Sequence, residues 1–293
     1  MNNLLNKTII KSSAILLLGS GLFFGGCSST SSTSTDNSTT TTSSTTLSLS
    51  AAVTTLAGTA GSSGSADGTG TAATFNQPYD GTVDNGNLYV TDFGNHLIRK
   101  IVISSGVVTT LAGTGSSGSA DGTGTAASFY SPGGITSDGT NLFVAGINNH
   151  IIRKIVISSG VVTTFAGTGS TGSSDGTGTA ASFNLPFGIT NDGTNLFVVD
   201  AQNHLIRKIV ISSGVVTTFA GTGSRGSADG TGTAASFNFP QGITNDGTNL
   251  FVADVGNHLI RKIVISSGVV TTIAGTGSTG SSDGTGTAAS FNL

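Results

Sequence analysis

Short apolar runs, separated by glycine, asparagine and serine, recur along most of the chain. One period contains the runs 196–199, 205–211 and 215–220, with Asn-Asp-Gly and Ser-Ser-Gly among the polar breaks. β-Branched residues dominate the runs and helical periodicity is lacking, so the pattern predicts β-strands joined by tight turns. Both faces of the run 205–211 carry apolar residues, which predicts sheets that are covered on both sides.

The pattern has a fixed period of 54 residues, the spacing of the four histidines. A constant period of this length is typical of repeat architectures. We count four strands in each repeat, and complete sets begin at the chain's four prolines: Pro78, Pro132, Pro186 and Pro240. The run 53–56 before the first set predicts one additional strand.

Each repeat carries Asn-His-Leu (Asn-His-Ile at 149–151) followed by Ile-Arg-Lys-Ile. These motifs resemble the NHL repeat, and the resemblance extends from about residue 53 to the C-terminus. It implies an all-β fold, a β-propeller with four-stranded blades, here about four complete blades plus the additional strand. The family usually has six blades, so we expect an open or incomplete ring, or closure by a second chain. Open strand edges would then allow self-association.

The N-terminal residues predict export and a membrane anchor. Residues 1–27 combine Lys7 and Lys11, a short apolar run and the junction Phe24-Gly25-Gly26-Cys27, which resembles a bacterial lipoprotein signal with lipidation at Cys27. Residues 28–50 are almost entirely serine and threonine and predict a disordered tether. The repeats occupy 51–293. By resemblance, the chain is a cell-envelope lipoprotein, and the absence of aspartate after Cys27 favours the outer membrane.

Composition narrows the set of partners. The formal net charge is −3, and eight of the eleven basic residues belong to the four Arg-Lys pairs. No clustered basic face is indicated, so nucleic acid is not an expected partner. The single cysteine excludes an intrachain disulfide.

The Asn-His pairs are predicted to be structural residues of a turn. They are Asn95 and His96, Asn149 and His150, Asn203 and His204, and Asn257 and His258. Four histidines suggest zinc, but on the third strand of each blade they would lie on the order of 15 Å apart, so we expect no metal site. Asp92, Asp200 and Asp254 are expected to accept backbone N–H bonds within the same turn. Gly146 takes that position in the second repeat, where we expect a looser turn.

The long loops between repeats are the predicted binding surface. They share one rim of a propeller with the Asn-His turns, and Asp121, Asp175, Asp229 and Arg225 are the candidate contact residues. The abundance of Ser, Thr and Gly around a central opening suits a protein, peptide or glycan ligand held by hydrogen bonds. Phenylalanines in these loops are expected to reach the core. One carboxylate per loop leaves weak calcium binding open as an alternative, and no other cofactor is predicted.

These features predict a binding or scaffolding module rather than an enzyme. The repeats are nearly identical, and we find no Ser-His-Asp set, paired carboxylates or metal-ligand spacing. Two alternatives remain: a propeller enzyme of lyase or lactonase type, for which Asp80 would be the residue to watch, and a truncated piece of a longer repeat protein.

Overall fold

A computed structural model describes residues 53–293 as four antiparallel sheets, each with five strands. We call them blades 1 to 4 in chain order. Blades 1 and 2 contain β1 (Gly68–Thr69), β2 (Pro78–Asp84), β3 (Asn87–Asp92), β4 (Leu97–Val102), β5 (Val107–Ala112), β6 (Gly122–Thr123), β7 (Pro132–Ser137), β8 (Asn141–Gly146), β9 (Ile151–Val156) and β10 (Val161–Ala166).

Blades 3 and 4 repeat this arrangement. Their strands are β11 (Gly176–Thr177), β12 (Pro186–Asn191), β13 (Asn195–Asp200), β14 (Leu205–Val210), β15 (Val215–Ala220), β16 (Gly230–Thr231), β17 (Ile243–Asn245), β18 (Asn249–Asp254), β19 (Leu259–Val264) and β20 (Val269–Ala274). The innermost strands β2, β7, β12 and β17 lie side by side from blade to blade, so the sheets form an unclosed arc of propeller blades. The propeller prediction is confirmed.

Three-residue 3-10 helices are the helical elements of the described chain. Four of them carry the turn between the second and third strands of a blade: Phe93–Asn95, Ile147–Asn149, Ala201–Asn203 and Val255–Asn257. Five lie in the long loops: Gly70–Ala72, Gly124–Ala126, Gly178–Ala180, Gly232–Ala234 and Gly286–Ala288.

Each blade has one strand more than the sequence predicts. The Gly-Thr pair of the long loop before each blade forms a two-residue strand outside the fourth strand of that blade, as Gly176 and Thr177 do with Val216 and Val215. Two residues next to glycines give no periodic signal, so this strand escapes sequence reasoning. Its pairing occupies part of the outer edge of every blade.

The prediction of an additional strand at 53–56 is wrong. These residues are exposed and have no strand partner. The equivalent runs, such as β15, pair with the third strand of their own blade. Among residues 53–293, no strand pairs with this run.

The core lies between the faces of neighbouring blades. Phe143 and Ile152 of blade 2 pack with Leu196 and Val198 of blade 3, and all four are completely buried. The prediction of sheets covered on both sides is thereby confirmed. Since blades pack through faces, the unclosed arc leaves a face of blade 4 less covered: Phe197 is buried, whereas the equivalent Phe251 of blade 4 is partly exposed. Self-association through open strand edges stays a prediction.

Candidate functional site

The Asn-His turn of each blade is built from a 3-10 helix that ends in a left-handed histidine. His96, His150 and His204 share φ 57° and ψ 36°, and His258 is close to them. The ring of each histidine then turns towards the next repeat, where its Nδ1 accepts a backbone N–H. The donors are Ser131, Leu185, Phe239 and Leu293, at 3.0 to 3.4 Å. In this geometry each histidine joins successive repeats through its Nδ1 atom as well as ending its own turn.

Burial lowers the pKa of His96, His150 and His204. Nδ1 must be unprotonated to accept the N–H, which matches the preference of a buried imidazole for its neutral form. For His204, the nearby Arg225 guanidinium lowers the pKa further.

Each blade contains a buried arginine that forms ion pairs with aspartates, and the sequence analysis did not predict this. The Arg207 side chain is completely buried, with Nη1 2.9 Å from Asp200 Oδ2 and Nη2 2.8 Å from Asp175 Oδ1. Its guanidinium lies over the Phe183 ring, 5.3 Å from the centroid. Arg99 and Arg261 repeat the whole set. The constant spacing of 32 residues between loop aspartate and arginine was the available signal.

The predicted rim aspartates belong to these ion pairs. Asp121, Asp175 and Asp229 each use Oδ1 to accept from the arginine and from a threonine hydroxyl on β10, β15 or β20. They are about half exposed, with side-chain values of 52%, 52% and 50%. Their Oδ1 atoms are thus committed to the fold, and ligand binding through them stays a prediction. Arg225 is exposed on the same loop surface.

The aspartate that starts the turn acts over a longer range than predicted. Asp200 Oδ1 accepts the backbone N–H of Asn184 at 2.7 Å, 16 residues earlier, and Oδ2 accepts from Asn203 and Arg207. The expected backbone N–H bond is therefore present but comes from outside the turn, and within the turn the carboxylate accepts from the Asn203 side chain instead. In blade 2, Gly146 keeps the same backbone conformation (φ −87°, ψ 88°) as Asp200 (φ −95°, ψ 77°). The turn is therefore not looser in its backbone; what changes is its hydrogen bonding.

Asp80 links two blades. Its Oδ2 accepts the Ile135 N–H of blade 2 at 3.0 Å, and its Oδ1 accepts the Gly81 N–H at 2.8 Å. Burial raises the pKa of Asp80, and these two bonds oppose that shift. Both carboxylate oxygens thus have structural partners.

Aromatic rings narrow the expected central opening. Tyr79 of blade 1 lies 6.4 Å from Phe187 of blade 3, and Phe187 lies 5.8 Å from Phe239, measured between ring centroids. Burial, with Asp80 nearby, raises the pKa of Tyr79 to about 12. The long-loop phenylalanines Phe129 and Phe183 are buried, which confirms that prediction.

An open groove follows the long-loop rim of blade 2. We call it the rim groove; it is lined by Ser119, Asn149, Ile151, Thr164, Thr168 and Thr179, with Gly167 and Gly169. A second groove lies at the opposite ends of the strands of blades 1 and 2, where Asp84, Tyr89, Lys100 and Thr140 are among its lining residues. The rim groove offers hydroxyl and amide groups without a charged side chain.

Within 53–293, no three histidine, cysteine or acidic side chains are grouped as metal ligands would be. The same part of the chain contains no helix of the length and hydrophobicity needed to cross a bilayer. Cys27, the signal segment 1–27 and the tether 28–50 lie outside the described residues.

Known proteins share the repeat and the fold. No protein-family model matches the sequence. The chain is 32% identical over 235 residues to Protein SUPPRESSOR OF QUENCHING 1, chloroplastic, of Arabidopsis thaliana, covering 74% of this chain and 22% of that protein. It is 30% identical over 254 residues to human NHL repeat-containing protein 2, covering 74% and 35% respectively. The chain therefore spans about a third or less of these relatives.

A solved structure with a similar fold is an auxiliary nutrient binding protein from Bacteroides ovatus. The TM-score is 0.52 with 21% sequence identity, over 68% of this chain and 49% of that one. At this identity the likeness concerns the fold alone.

Proposed function

We propose that this chain, which belongs to the NHL-repeat β-propeller family, is a lipid-anchored module that binds a protein, peptide or glycan at the bacterial cell surface. Cys27 would carry the lipid, and residues 28–50 would hold the blades away from the membrane. The pattern of apolar run, two glycines and cysteine supports the anchor.

The rim groove is the observation on which the binding role depends. Its polar side chains are Ser119, Asn149, Thr164, Thr168 and Thr179, all uncharged. The repeat's arginines are buried in ion pairs and do not reach this surface. A groove of hydroxyls and amides that is open to solvent suits a ligand rich in hydrogen-bonding groups. A peptide backbone or a neutral glycan has these properties.

Peptide and glycan arrays probed with the purified chain test the binding role. Thr168→Arg places a long charged side chain in the rim groove and should abolish capture of any array ligand. The matched control is Thr140→Arg, which makes the same change at an exposed position in the opposite groove and should leave capture intact. Equal loss in both variants, or none in either, would contradict binding at the rim.

Anchoring is tested separately, by growing expressing cells with a fatty-acid probe. The wild-type chain should be labelled and should fractionate with membranes, whereas Cys27→Ala should do neither. Equal labelling of the variant would remove the anchor from the proposal and leave the groove unaffected.

We further propose that binding is not coupled to catalysis. The support is that both carboxylate oxygens of Asp80, the candidate for an enzymatic role, accept hydrogen bonds from backbone N–H groups. Elemental analysis of the purified chain should find no stoichiometric divalent ion. A bound ion that disappears in Asp80→Asn would instead favour a lyase or lactonase.

A further inference from the structure

In each of blades 1, 3 and 4, the carboxylate of an aspartate accepts hydrogen bonds from three donors; we call this group of donors the nest. In blade 3, Asp200 accepts from the Asn184 N–H at 2.7 Å, from Asn203 Nδ2 at 2.9 Å and from Arg207 Nη1 at 2.9 Å. Asp92 and Asp254 have the equivalent three donors at 2.7 to 2.9 Å. The nest therefore selects a carboxylate by number, direction and charge of its donors.

Blade 2 keeps the donors without the carboxylate. The equivalent groups are the Tyr130 N–H, Asn149 Nδ2 and Arg153 Nη1, and residue 146 is glycine. The first two have no acceptor among residues 53–293, and Arg153 Nη1 reaches a single one, the Ser128 carbonyl at 2.7 Å. The backbone at Gly146 matches the other blades, so the position of the missing side chain is preserved.

The charge of blade 2 is also unbalanced. The Arg153 side chain is 1% exposed, and its one carboxylate partner in the described chain is Asp121, which is 52% exposed. Arg207 has a second, completely buried carboxylate in Asp200. A buried guanidinium with an unused N–H and one solvated counterion favours an additional anion beside it.

One donor of the blade 2 nest lies at the rim groove. Asn149 is half-buried and lines the rim groove together with Ile151. A Cβ added to Gly146 would lie 3.2 Å from the Ile151 carbonyl oxygen and 3.3 Å from its Cγ1. The space next to the backbone is therefore tight, and a carboxylate without a substituent carbon fits better than one that carries a methyl group.

We propose that blade 2 binds a small carboxylate beside Gly146, at the position that the aspartate side chain occupies in the other three blades. Arg153 Nη1, the Tyr130 N–H and Asn149 Nδ2 would donate to its two oxygens. This site does not depend on what the rest of the rim groove binds. Formate is the closest probe, because it is the aspartate carboxylate without the Cβ.

A titration of the purified chain with ¹³C-formate, followed by NMR, tests the site. The wild type should bind one equivalent saturably, with weaker binding of acetate. Gly146→Asp supplies the carboxylate from the chain and should lose formate binding. Asp200→Gly recreates the blade 2 nest in blade 3 and should bind a second equivalent.

Saturable formate binding that is unchanged in Gly146→Asp would overturn the proposal, as would no saturable binding to the wild type. If circular dichroism shows that Gly146→Asp does not fold, Asn149→Ala provides the test, because it removes one donor from a half-buried position. It should raise the formate Kd about tenfold, whereas Asn203→Ala, its counterpart in blade 3, should leave the Kd unchanged. Equal formate affinity in Asn149→Ala and the wild type would contradict the site.

Discussion

Blade 2 has a glycine at the position where blade 3 has an aspartate. Comparing the two blades shows which features depend on the aspartate side chain and which do not. Asp200 ends the second strand of blade 3, and Gly146 ends that of blade 2, yet the backbone dihedrals agree within about ten degrees. The following histidines have identical dihedrals. The turn is therefore formed by the 3-10 helix and the left-handed histidine. The aspartate joins that turn, through Asn203, to Asn184 and to the buried arginine.

The largest difference between the two blades should appear when the arginine is removed. Arg207→Met leaves Asp200 buried without its cation, which should lower the free energy of unfolding by about 3–5 kcal/mol. Arg153→Met leaves only the half-exposed Asp121 unpaired and should cost about 2 kcal/mol. Urea unfolding of the purified chain, followed by circular dichroism, measures both. Equal losses of unfolding free energy in the two variants would show that leaving Asp200 without its cation does not destabilise the chain further.

Removing the charge of the loop aspartate should instead destabilise blade 2 more than blade 3. Asp121→Asn removes the one carboxylate that Arg153 has in residues 53–293, and we expect a loss of about 2 kcal/mol. Asp175→Asn leaves Arg207 paired with Asp200, so the loss should be near the value of an exposed ion pair, about 1 kcal/mol. The same unfolding experiment compares the two. A larger loss for Asp175→Asn would break the comparison between the blades.

Both blades have a histidine whose Nδ1 accepts a backbone N–H. Loss of this bond should have the smallest effect on stability and the same pH dependence in both blades. Burial lowers the pKa of His150 and His204, so the folded chain binds fewer protons than the unfolded chain near pH 6.5. Stability is then fully present above that pH. It falls as the pH drops through 6.5 towards the lowered native pKa, by about 1 kcal/mol for each Nδ1 bond lost.

Substitution by asparagine, which tolerates the left-handed backbone, tests this assignment. His150→Asn and His204→Asn should each flatten the dependence of the urea midpoint on pH between 5 and 7.5. An unchanged slope in both variants would mean that other groups cause the acid sensitivity.

The sequence predicted most of the fold because its signals are local and repeated. The apolar runs, the tight turns and the 54-residue period led to the blades, and each of the four predicted sets of strands is present. The exceptions have one cause. The two-residue outer strand exists because another strand offers it a partner, and the run 53–56 has no strand partner among the described residues.

The candidate site was less predictable for the same reason. The loop aspartates were recognised as repeated carboxylates, but their pairing with an arginine 32 residues later was not. Asp200 was expected to cap its own turn, and it instead accepts an N–H from residue 184. Gly146 is visible in the sequence as an exception to the repeat, but its effect on Arg153 depends on the packing of distant residues.

The sequence by itself determined that the chain is a repeat of short strands, that the blades bury apolar residues on both faces, and that the Asn-His pairs belong to turns. Only the tertiary structure decided which polar groups meet: the arginine with two aspartates, the histidine with the next repeat, and the donors of blade 2 with no aspartate. Strand and turn propensities act over a few residues, so they can be read along the chain. Hydrogen bonds and ion pairs between distant residues depend on how the sheets stack, because stacking sets the distances over which they act.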